Sequence, residues 1–378
     1  MDSYVRSDAE LAAVVAELRA GPLVAVDTEA ASFHKYVDRV YLVQLSSRTR
    51  TAIVDPLAVG NLSPIGALLL DPAVEKVFHD ADYDLRILDR DYGFRAVRLF
   101  DTRIAAQLLG EPAIGLGSLL EKHLGIKLSK THQKADWSQR PLPPAMLAYA
   151  ADDTRHLPRL RDLLHERLVA RGRMAWVQEE CKRLEELRWT KGAGGATDSD
   201  EEAYLRVKGA KALRPRDLAA FRELYAWREA VAQREDKAPF RIIGNDPLLA
   251  VSRALPETAD ALAKVVGLPP SLARRHGPAL LDAVHRARAL PEAELPRLVR
   301  PPRGPKDPKV DERVEKLKAV RNRVAGELGL DPGVLCGRTT LEAVARAAPR
   351  DRAGLAAVSE LRRWQFDVLG DALLAALA

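Results

Sequence analysis

Short apolar runs alternate with helix-type patterns over the first 165 residues. Segments at 23–28 (LVAVDT), 39–46 (RVYLVQLS), 51–55 (TAIVD) and 75–79 (EKVFH) have the length and β-branched content of strands. The segments around them repeat apolar residues every three to four positions, which is typical of helices packed on a sheet. The alternation predicts an α/β domain, and the hairpin-like spacing of the second and third strands indicates a mixed sheet.

Glycine and proline mark the ends of several predicted helices. The helix-type pattern after the fourth strand closes at Gly93, and two shorter patterns close at Gly110 and Gly125. Glycine is common there because it accepts the left-handed conformation that ends many helices. A helix starting at the prolines 143–144 is predicted to break or kink at Pro158, which lacks a backbone N–H.

Two linkers divide the chain into three predicted domains. The segment 191–210 starts as a glycine-rich and then acidic stretch, and 300–310 is rich in proline and basic residues. They separate the α/β domain at 1–190 from two helical domains at 211–299 and 311–378. A shift of 93 residues aligns the two helical segments without a gap, with identities such as Pro239/Pro332, Gly244/Gly337, Leu248/Leu341, Leu262/Leu355 and Gly277/Gly370. The repeat predicts two copies of one small helical domain.

Charge is distributed unevenly between the two halves of the 378-residue chain. Residues 1–205 carry 27 Lys and Arg against 31 Asp and Glu, a net charge of −4, whereas 206–378 carry 32 against 22, a net charge of +10. This asymmetry is typical of a protein whose basic half meets a polyanion. An arginine-rich solvated surface would give the same count, so charge alone leaves both interpretations open.

The expected location is the cytoplasm. Cys181 and Cys336 lie far apart without CxxC spacing, which predicts free thiols in a reducing compartment. The N-terminal stretch MDSYVRSDAELAAVVAEL has the pattern of a capped amphipathic helix rather than of a secretory signal. No apolar run approaches the roughly 18 residues of a membrane span, so no membrane association is expected.

Acidic side chains occur in three places that an α/β fold can bring together. Asp27 and Glu29 end the first predicted strand and project from the same face, where their charges repel unless a cation joins them. A second group, Asp80, Asp82 and Asp84, stands near the start of a predicted helix. An acidic first turn also suits the helix dipole, so this group alone does not define a site.

The third place is YAADD at 149–153. Tyr149 and Asp153 are four residues apart and therefore share one helix face, a spacing that also occurs in plain hydrogen-bonded pairs. A hydrolase that uses two metal ions needs about four carboxylates around ions roughly 3.5–4 Å apart. The three acidic groups together supply enough carboxylates for such a centre.

The ordered motifs resemble the DEDD family of 3′→5′ exonucleases, specifically its tyrosine-bearing ribonuclease D branch. The motifs are VDTE at 26–29, FHDADYDLRIL at 78–88 and YAADD at 149–153, with further matches at VQLS, DT (101–102) and KADWSQRPL (134–142). Ribonuclease D also carries two helical HRDC domains, which agrees with the repeat. The resemblance implies an RNase H-like mixed-sheet exonuclease domain followed by two HRDC domains.

The resemblance also implies a chemistry. Asp27, Glu29, Asp84 and Asp153 would bind two divalent ions, Mg²⁺ or Mn²⁺, and Tyr149 would orient the attacking water. Asp84 is preferred over its acidic neighbours because it keeps the family's spacing to the following leucine. The expected function is removal of 3′-terminal nucleotides from structured RNA such as tRNA precursors with a single-stranded 3′ end, by a monomer.

Substrate contacts are expected near these motifs. Relatives often carry, at the position of Ala30, a bulky apolar residue that packs against the terminal base. In this chain either Phe33 makes that contact instead or the contact is lost. The remaining predicted substrate-binding residues, which lie in or beside the matched motifs, are Gln44, His79, Lys130, Lys134 and Trp137. Two alternative functions remain at this stage, a 3′→5′ exonuclease acting on DNA and a nucleic-acid-binding protein without catalysis.

Overall fold

A six-stranded mixed sheet forms the centre of the N-terminal domain. The computed structural model describes residues 2–190, 202–298 and 307–378. The strands are β1 (Asp2–Val5), β2 (Leu23–Ala30), β3 (Val40–Ser46), β4 (Thr51–Val54), β5 (Glu75–Phe78) and β6 (Leu99–Asp101). They lie in the order β1-β4-β3-β2-β5-β6; β3 is antiparallel to β2 and β4, and the other neighbours are parallel. The predicted mixed sheet is confirmed.

Helices surround this sheet. They are α1 (Asp8–Arg19), α2 (Ser63–Leu70), α3 (Asp82–Tyr92), α4 (Thr102–Leu108), α5 (Leu116–Leu124), α6 (Pro144–Arg155), α7 (Leu157–Ala170) and α8 (Met174–Glu185). Gly93 and Gly125 end α3 and α5 in the left-handed conformation, with φ of 67° and 70°. Pro158 lies in the first turn of α7, so the pattern at 143–168 divides into two helices as expected.

The N-terminal segment differs from its predicted single helix. Its first residues form β1, which pairs in parallel with β4 at the edge of the sheet. Helix α1 starts only after Ser7, whose hydroxyl accepts the backbone N–H of Glu10 in a capping box. The sequence of this edge strand, DSYV, begins with two polar residues, so no apolar run marks it, which explains the difference.

Two helical domains follow, and they repeat at an offset of 93 residues. The first contains α9 (Pro215–Glu235), α10 (Pro239–Ile242), α11 (Asn245–Ala254), α12 (Ala259–Ala263) and α13 (Pro270–Ala289), and the second α14 (Pro308–Leu328), α15 (Pro332–Leu335), α16 (Arg338–Ala347), α17 (Arg352–Ala356) and α18 (Arg363–Leu377). Even the non-glycine residues with positive φ correspond, Leu255 at 45° and Ala348 at 44°. No helix in the described part of the chain is long and apolar enough to cross a membrane.

The predicted linkers need correction where the structure describes them. Tyr204 and Ala210 belong to the buried core of the first helical domain, so that domain begins before residue 211. Helix α14 starts at Pro308, inside the segment predicted as the second linker. The remaining parts of the predicted linkers, 191–201 and 300–306, lie outside the described residues.

The second helical domain packs directly on the N-terminal domain. Trp364 stacks on Trp176 with ring centroids 4.8 Å apart, and its indole N–H donates to Glu180 at 2.8 Å. Arg362 forms an ion pair with the same carboxylate at 3.1 Å, and the backbone N–H of Trp364 donates to Glu179 at 2.9 Å. Apolar residues of both domains form one continuous core, so the N-terminal domain and this helical domain are one packed unit.

Candidate active site

Strand β2 positions the first two acids. Its first four residues are buried in the sheet, and Asp27 and Glu29 follow at the end that opens toward solvent. In the antiparallel register Asp27 lies opposite Gln44 and Glu29 opposite Leu42. Helix α6 packs against β2, β3 and β4, and thus brings its own side chains to these acids.

Tyr149 and Asp153 come from α6. Carboxylate oxygens of Asp27, Glu29 and Asp153 all lie within 4.8 Å of one another. Asp153 follows Tyr149 by one helical turn, so both side chains are presented to β2. The structure therefore brings together three of the four predicted metal ligands and the predicted catalytic tyrosine.

Asp84 supplies the fourth carboxylate. It lies buried in the first turn of α3 and accepts a hydrogen bond from the hydroxyl of Thr28, the residue between Asp27 and Glu29. The other two acids of this segment turn to arginines: Asp82 pairs with Arg86 at 2.7 Å, and Asp80 pairs with Arg103. Among the three acids, Asp84 is therefore the one whose carboxylate reaches β2.

Burial raises the pKa of all four carboxylates, and repulsion within the cluster adds to this for Asp27 and Glu29. Desolvation and the charges of Asp84, Asp153 and Glu29 raise the pKa of Asp27 well above its ordinary value, and desolvation and neighbouring acids do the same to Glu29. The pKa of Asp84 and that of Asp153 rise to about 7, mainly by desolvation. The charged neighbours that raise the pKa values of Asp27, Glu29 and Asp153 are themselves acids, so the cluster carries repulsion that a cation would relieve.

This donor set fits hard divalent ions. Oxygen ligands suit Mg²⁺ and Mn²⁺, and the convergence of Asp27, Glu29 and Asp153 with Asp84 beside them supplies both the ligands and the negative charge. When bound, such ions lower the pKa of water and stabilise the charge of a departing oxygen. The metal-binding residues predicted from the sequence are compatible with this arrangement.

The metal-free protein should lose stability as the pH rises through this cluster. Asp84 and Asp153 have folded pKa values raised from 3.8 to about 7, so the stability present below pH 4 is lost between about pH 4 and 7 as they ionise against their neighbours. Divalent ions bind the ionised form and should restore it. We expect the difference between melting temperatures in Mg²⁺ and in EDTA to grow over this pH range. A pH-independent difference would contradict the cluster's role.

Tyr149 is held for hydrogen bonding rather than for proton abstraction. Its ring packs on Trp137 with centroids 6.0 Å apart and edge-on to His132 at 5.8 Å. Burial and the charges of Asp153, Glu29 and Asp27 raise the pKa of its hydroxyl well above the ordinary tyrosine value. The phenol therefore stays protonated at neutral pH and can donate a hydrogen bond or orient a water.

A cleft of about 630 Å³ opens over the acids. Asp27, Glu29, Tyr149 and Asp153 line it together with residues of the predicted substrate path and of α5, namely His79, Gly115, Leu116, Gly117, Ser118, Glu121, Lys127, Leu128, Ser129, Lys130 and Gln133. Burial lowers the pKa of His79 to about 4, and its Nδ1 lies 2.9 Å from the Thr102 hydroxyl, so it is neutral at physiological pH. His79 and Lys130 thus line the cleft, and their contact with substrate stays a prediction.

Ala30, Phe33 and Lys134 lie at the edge of the site. Ala30 is half-buried at the end of β2, where a bulge separates it from Glu29 in the pairing with β3. Phe33 is 41% exposed, and the Lys134 ammonium lies 5.4 Å from the centroid of its ring. Phe33 is thus an exposed aromatic ring beside this edge, and which base it contacts stays a prediction.

Two predicted substrate contacts need correction. Gln44 is 0% and Trp137 is 1% exposed, so neither side chain offers surface to an RNA. Gln44 lies in the central strand of the sheet, and Trp137 supports the Tyr149 ring from behind. Neighbouring Arg140 is structural too, because it forms a two-pronged ion pair with Asp55 at 2.7 and 2.8 Å.

Asp101 and His132 contribute to the site without having been predicted there. Asp101 accepts the backbone N–H groups of Asp80 and Ala81 and thereby holds the turn that leads into α3 and Asp84. The DT motif at 101–102 was a sequence signal for this role. His132 contacts Tyr149 only because its loop folds back, and a single histidine in a loop carries no pattern that predicts it.

Comparisons with known proteins agree with this arrangement. A family model described as 3′-5′ exonuclease matches residues 3–169, and one described as HRDC domain matches 217–284 and 310–377. Ribonuclease D of Pseudomonas paraeruginosa is 34% identical over 377 residues, covering 99% of this chain and 97% of that protein. The fold and the acidic site thus define a 3′→5′ exonuclease with an HRDC pair.

Solved structures show the same likeness. The crystal structure of Escherichia coli RNase D matches with a TM-score of 0.69 and 26% identity, covering 99% of this chain and 98% of that one. The catalytic core of RRP6 from Trypanosoma brucei matches with a TM-score of 0.65 and 32% identity, covering 77% and 81%. The chain belongs to the ribonuclease D family and is a 3′→5′ exoribonuclease.

Proposed function

We propose that this exoribonuclease removes 3′-terminal nucleotides from structured RNA, with tRNA precursors as substrates, and that it depends on two divalent ions, Mg²⁺ or Mn²⁺. It would act as a monomer in the cytoplasm. The observation that carries the proposal is the convergence of Asp27, Glu29 and Asp153 within 4.8 Å, with Asp84 hydrogen-bonded beside them. Carboxylates this close together repel one another unless they bind a cation. Their convergence therefore supports a metal-binding site.

Each side chain has a distinct task. The four carboxylates, Asp27, Glu29, Asp84 and Asp153, would hold the ions, which would supply an activated water and stabilise the charge of the departing oxygen. Tyr149 donates its hydroxyl proton in a hydrogen bond that orients the attacking water, since its raised pKa excludes it as a base. The water oxygen bonds to phosphorus and loses a proton to solvent, while the bond from phosphorus to the 3′ oxygen of the preceding nucleotide breaks and that oxygen takes up a proton from solvent. The products are a nucleoside 5′-monophosphate and an RNA shortened by one nucleotide.

Structured RNA is the proposed substrate class because of the basic half of the chain. Escherichia coli RNase D is described as an exoribonuclease involved in structured RNA processing. Residues 206–378 of the present chain carry a net charge of +10, whereas the catalytic half is acidic. Phosphates contacted by Lys and Arg provide affinity that does not depend on sequence. The helical domains would therefore grip the body of an RNA whose 3′ end enters the cleft.

Some arginines that recur at equivalent positions of the two helical domains have a structural role instead of contacting RNA. Arg228 donates to Asn245 Oδ1 at 2.7 Å, and its counterpart Arg321 donates to the carbonyl of Cys336 at 3.1 Å. Both guanidinium groups therefore bind near the start of the third helix of their own domain, α11 or α16. Phosphate contacts are expected from other, more exposed basic residues.

The decisive assay compares RNA and DNA. A 5′-labelled tRNA precursor with a 3′ trailer should shorten one nucleotide at a time in Mg²⁺ or Mn²⁺, releasing nucleoside 5′-monophosphates, and EDTA should stop the reaction. DNA of the trailer sequence should be degraded more slowly. Faster degradation of DNA would favour the DNA exonuclease alternative, and binding without hydrolysis in either metal would favour the non-catalytic one.

A further inference from the structure

Two exposed phenylalanines meet where the first HRDC domain approaches the catalytic domain. Phe33 follows β2 in the catalytic domain, and Phe240 lies in α10. Their ring centroids are 6.1 Å apart at an interplanar angle of 77°, an edge-to-face contact. The residues remain 41% and 53% exposed, unlike the phenylalanines of the core. Exposed apolar surface at the boundary of two domains often marks a binding site.

Polar contacts fix the two elements beside each other. The guanidinium of Arg241 donates to the backbone carbonyl of Phe33, and the N–H of Ala238 donates to the carbonyl of His34 at 3.2 Å. Lys35 pairs with Asp236 at 2.8 Å. The relative position of the two rings is thus held by backbone groups on both sides.

Basic groups lie beside the ring pair. The Lys134 ammonium lies 5.4 Å from the Phe33 centroid. On the HRDC side, Arg241 lines a small cavity together with Lys237 and Arg275. Exposed aromatic faces flanked by cations form the combination that binds single-stranded nucleic acid, because bases stack on the rings while the cations meet the phosphates.

The second HRDC domain serves as an internal comparison. At the 93-residue offset, Phe240 and Arg241 correspond to Gly333 and Val334. The neighbouring positions that build the fold are the same or similar in both copies: Pro239/Pro332, Ile242/Leu335 and Gly244/Gly337. The domain therefore folds without an aromatic residue at this position, and folding alone does not explain Phe240.

The ring pair lies near the active-site cleft. Phe33 follows Glu29 by four residues, so their Cα atoms lie within about 14 Å of each other. Lys134 belongs to the same loop as Lys130, which lines the cleft, and this loop also packs on the Tyr149 ring. An RNA strand that leaves the cleft on this side passes over the two rings.

We propose that Phe33 and Phe240 together form a stacking site for a base of the single-stranded RNA segment on the 5′ side of the scissile phosphate, with Lys134 and Arg241 contacting the adjacent phosphates. The inference rests on the proposed exonuclease function and assigns part of the substrate site to the first HRDC domain. A strand too short to reach the rings does not use the site, so its contribution appears only with longer RNA.

The test combines Phe240→Ala with RNA length. Stacking of one base on an aromatic side chain corresponds to about 5- to 100-fold in affinity. We expect Phe240→Ala to raise KM by about that factor on a single-stranded 12-nucleotide RNA and to leave hydrolysis of a dinucleotide unchanged. Phe240→Tyr, which keeps the ring, should behave as wild type. Val266→Ala removes apolar side chain at a 92% exposed position of the same domain and is the matched control.

Abasic substitutions separate stacking from a merely structural contact. A single abasic nucleotide is moved through the 12-nucleotide RNA, and wild type should lose affinity at one internal position. Phe240→Ala should lose nothing further at that position, because the base and the ring act as one pair. Melting temperatures of all variants check that each is folded.

The outcomes are distinguishable. Equal KM values of wild type and Phe240→Ala on long RNA, or losses that add fully at every abasic position, would overturn the stacking site while the exonuclease function stands. An abasic effect confined to the 3′-terminal nucleotide would overturn it as well. A wild-type protein that hydrolyses neither RNA in Mg²⁺ or Mn²⁺ would instead contradict the proposed function.

Discussion

Asp27→Asn should reduce RNA hydrolysis by at least about 10²-fold and, at the same time, make the metal-free protein more stable. The substitution keeps the size of the side chain but removes a charge and a metal ligand from the centre of the cluster. Losing electrostatic stabilisation of the transition state typically lowers turnover by about 10²–10³-fold. Loss of the repulsion from Glu29, Asp84 and Asp153 should in turn favour folding.

The two opposite effects can be measured on one preparation. Melting in EDTA should occur at a higher temperature than for wild type, by about 2–4 °C for each kcal/mol of repulsion removed. The additional rise on adding Mg²⁺, which reports ion binding to the folded state, should shrink or vanish. RNA affinity in EDTA should change little, because the helical domains carry most of the positive charge.

Asp82→Asn is the matched control for this prediction. Asp82 comes from the second acidic motif, and its exposed ion pair with Arg86 contributes at most about 1 kcal/mol. We expect near-wild-type hydrolysis and an unchanged response to Mg²⁺. If Asp27→Asn retained wild-type turnover, or if Asp82→Asn lost it, the proposed set of metal ligands would be wrong.

Tyr149→Phe is the second large effect, with an expected loss of about 10²–10⁴-fold in kcat. The phenylalanine ring keeps the packing on Trp137 and His132, so only the hydroxyl is lost. Because the hydroxyl is proposed to orient the attacking water, the loss should appear in kcat with KM nearly unchanged. Calorimetric titration with Mn²⁺ should show wild-type affinity, since the four carboxylates remain.

Tyr92→Phe provides the corresponding control. Tyr92 is a half-buried tyrosine at the end of α3 whose ring packs on Phe94 at 5.3 Å, and burial raises the pKa of its hydroxyl to about 12, yet it lies outside the cleft. Its variant should be fully active. Loss of Mn²⁺ affinity together with activity in Tyr149→Phe would show that Tyr149 supports the ions rather than the water.

Strand and helix order could be predicted from the sequence because it depends on local spacing. The four apolar runs became β2, β3, β4 and β5, and the glycines 93 and 125 ended helices as their left-handed preference predicts. The 93-residue repeat extends to the backbone conformation, since the equivalent residues Leu255 and Ala348 both have positive φ values. Strand β1 begins with two polar residues and β6 has only three residues, so neither shows an apolar run that predicts a strand.

The candidate site could be predicted in composition but not in detail. The acids at 27, 29 and 153 are determined by position on a strand and on a helix face, both of which follow from sequence. Gln44 and Trp137 lie in matched motifs but do not contact substrate. Their side chains are buried in the core behind the site. A motif does not distinguish a residue that contacts substrate from one that is buried behind it.

The sequence by itself determined the order of elements, the acidic motifs and the helical repeat, since each is encoded in spacing along the chain. Only the tertiary structure decided which of Asp80, Asp82 and Asp84 reaches Thr28, because that depends on where arginines from α3 and α4 lie. Two further contacts are visible only in the tertiary structure. The second HRDC domain shares an apolar core with the catalytic domain, and Phe240 contacts Phe33, more than 200 residues away in the sequence. Contacts of this kind arise from the packing of whole surfaces, which no local pattern records.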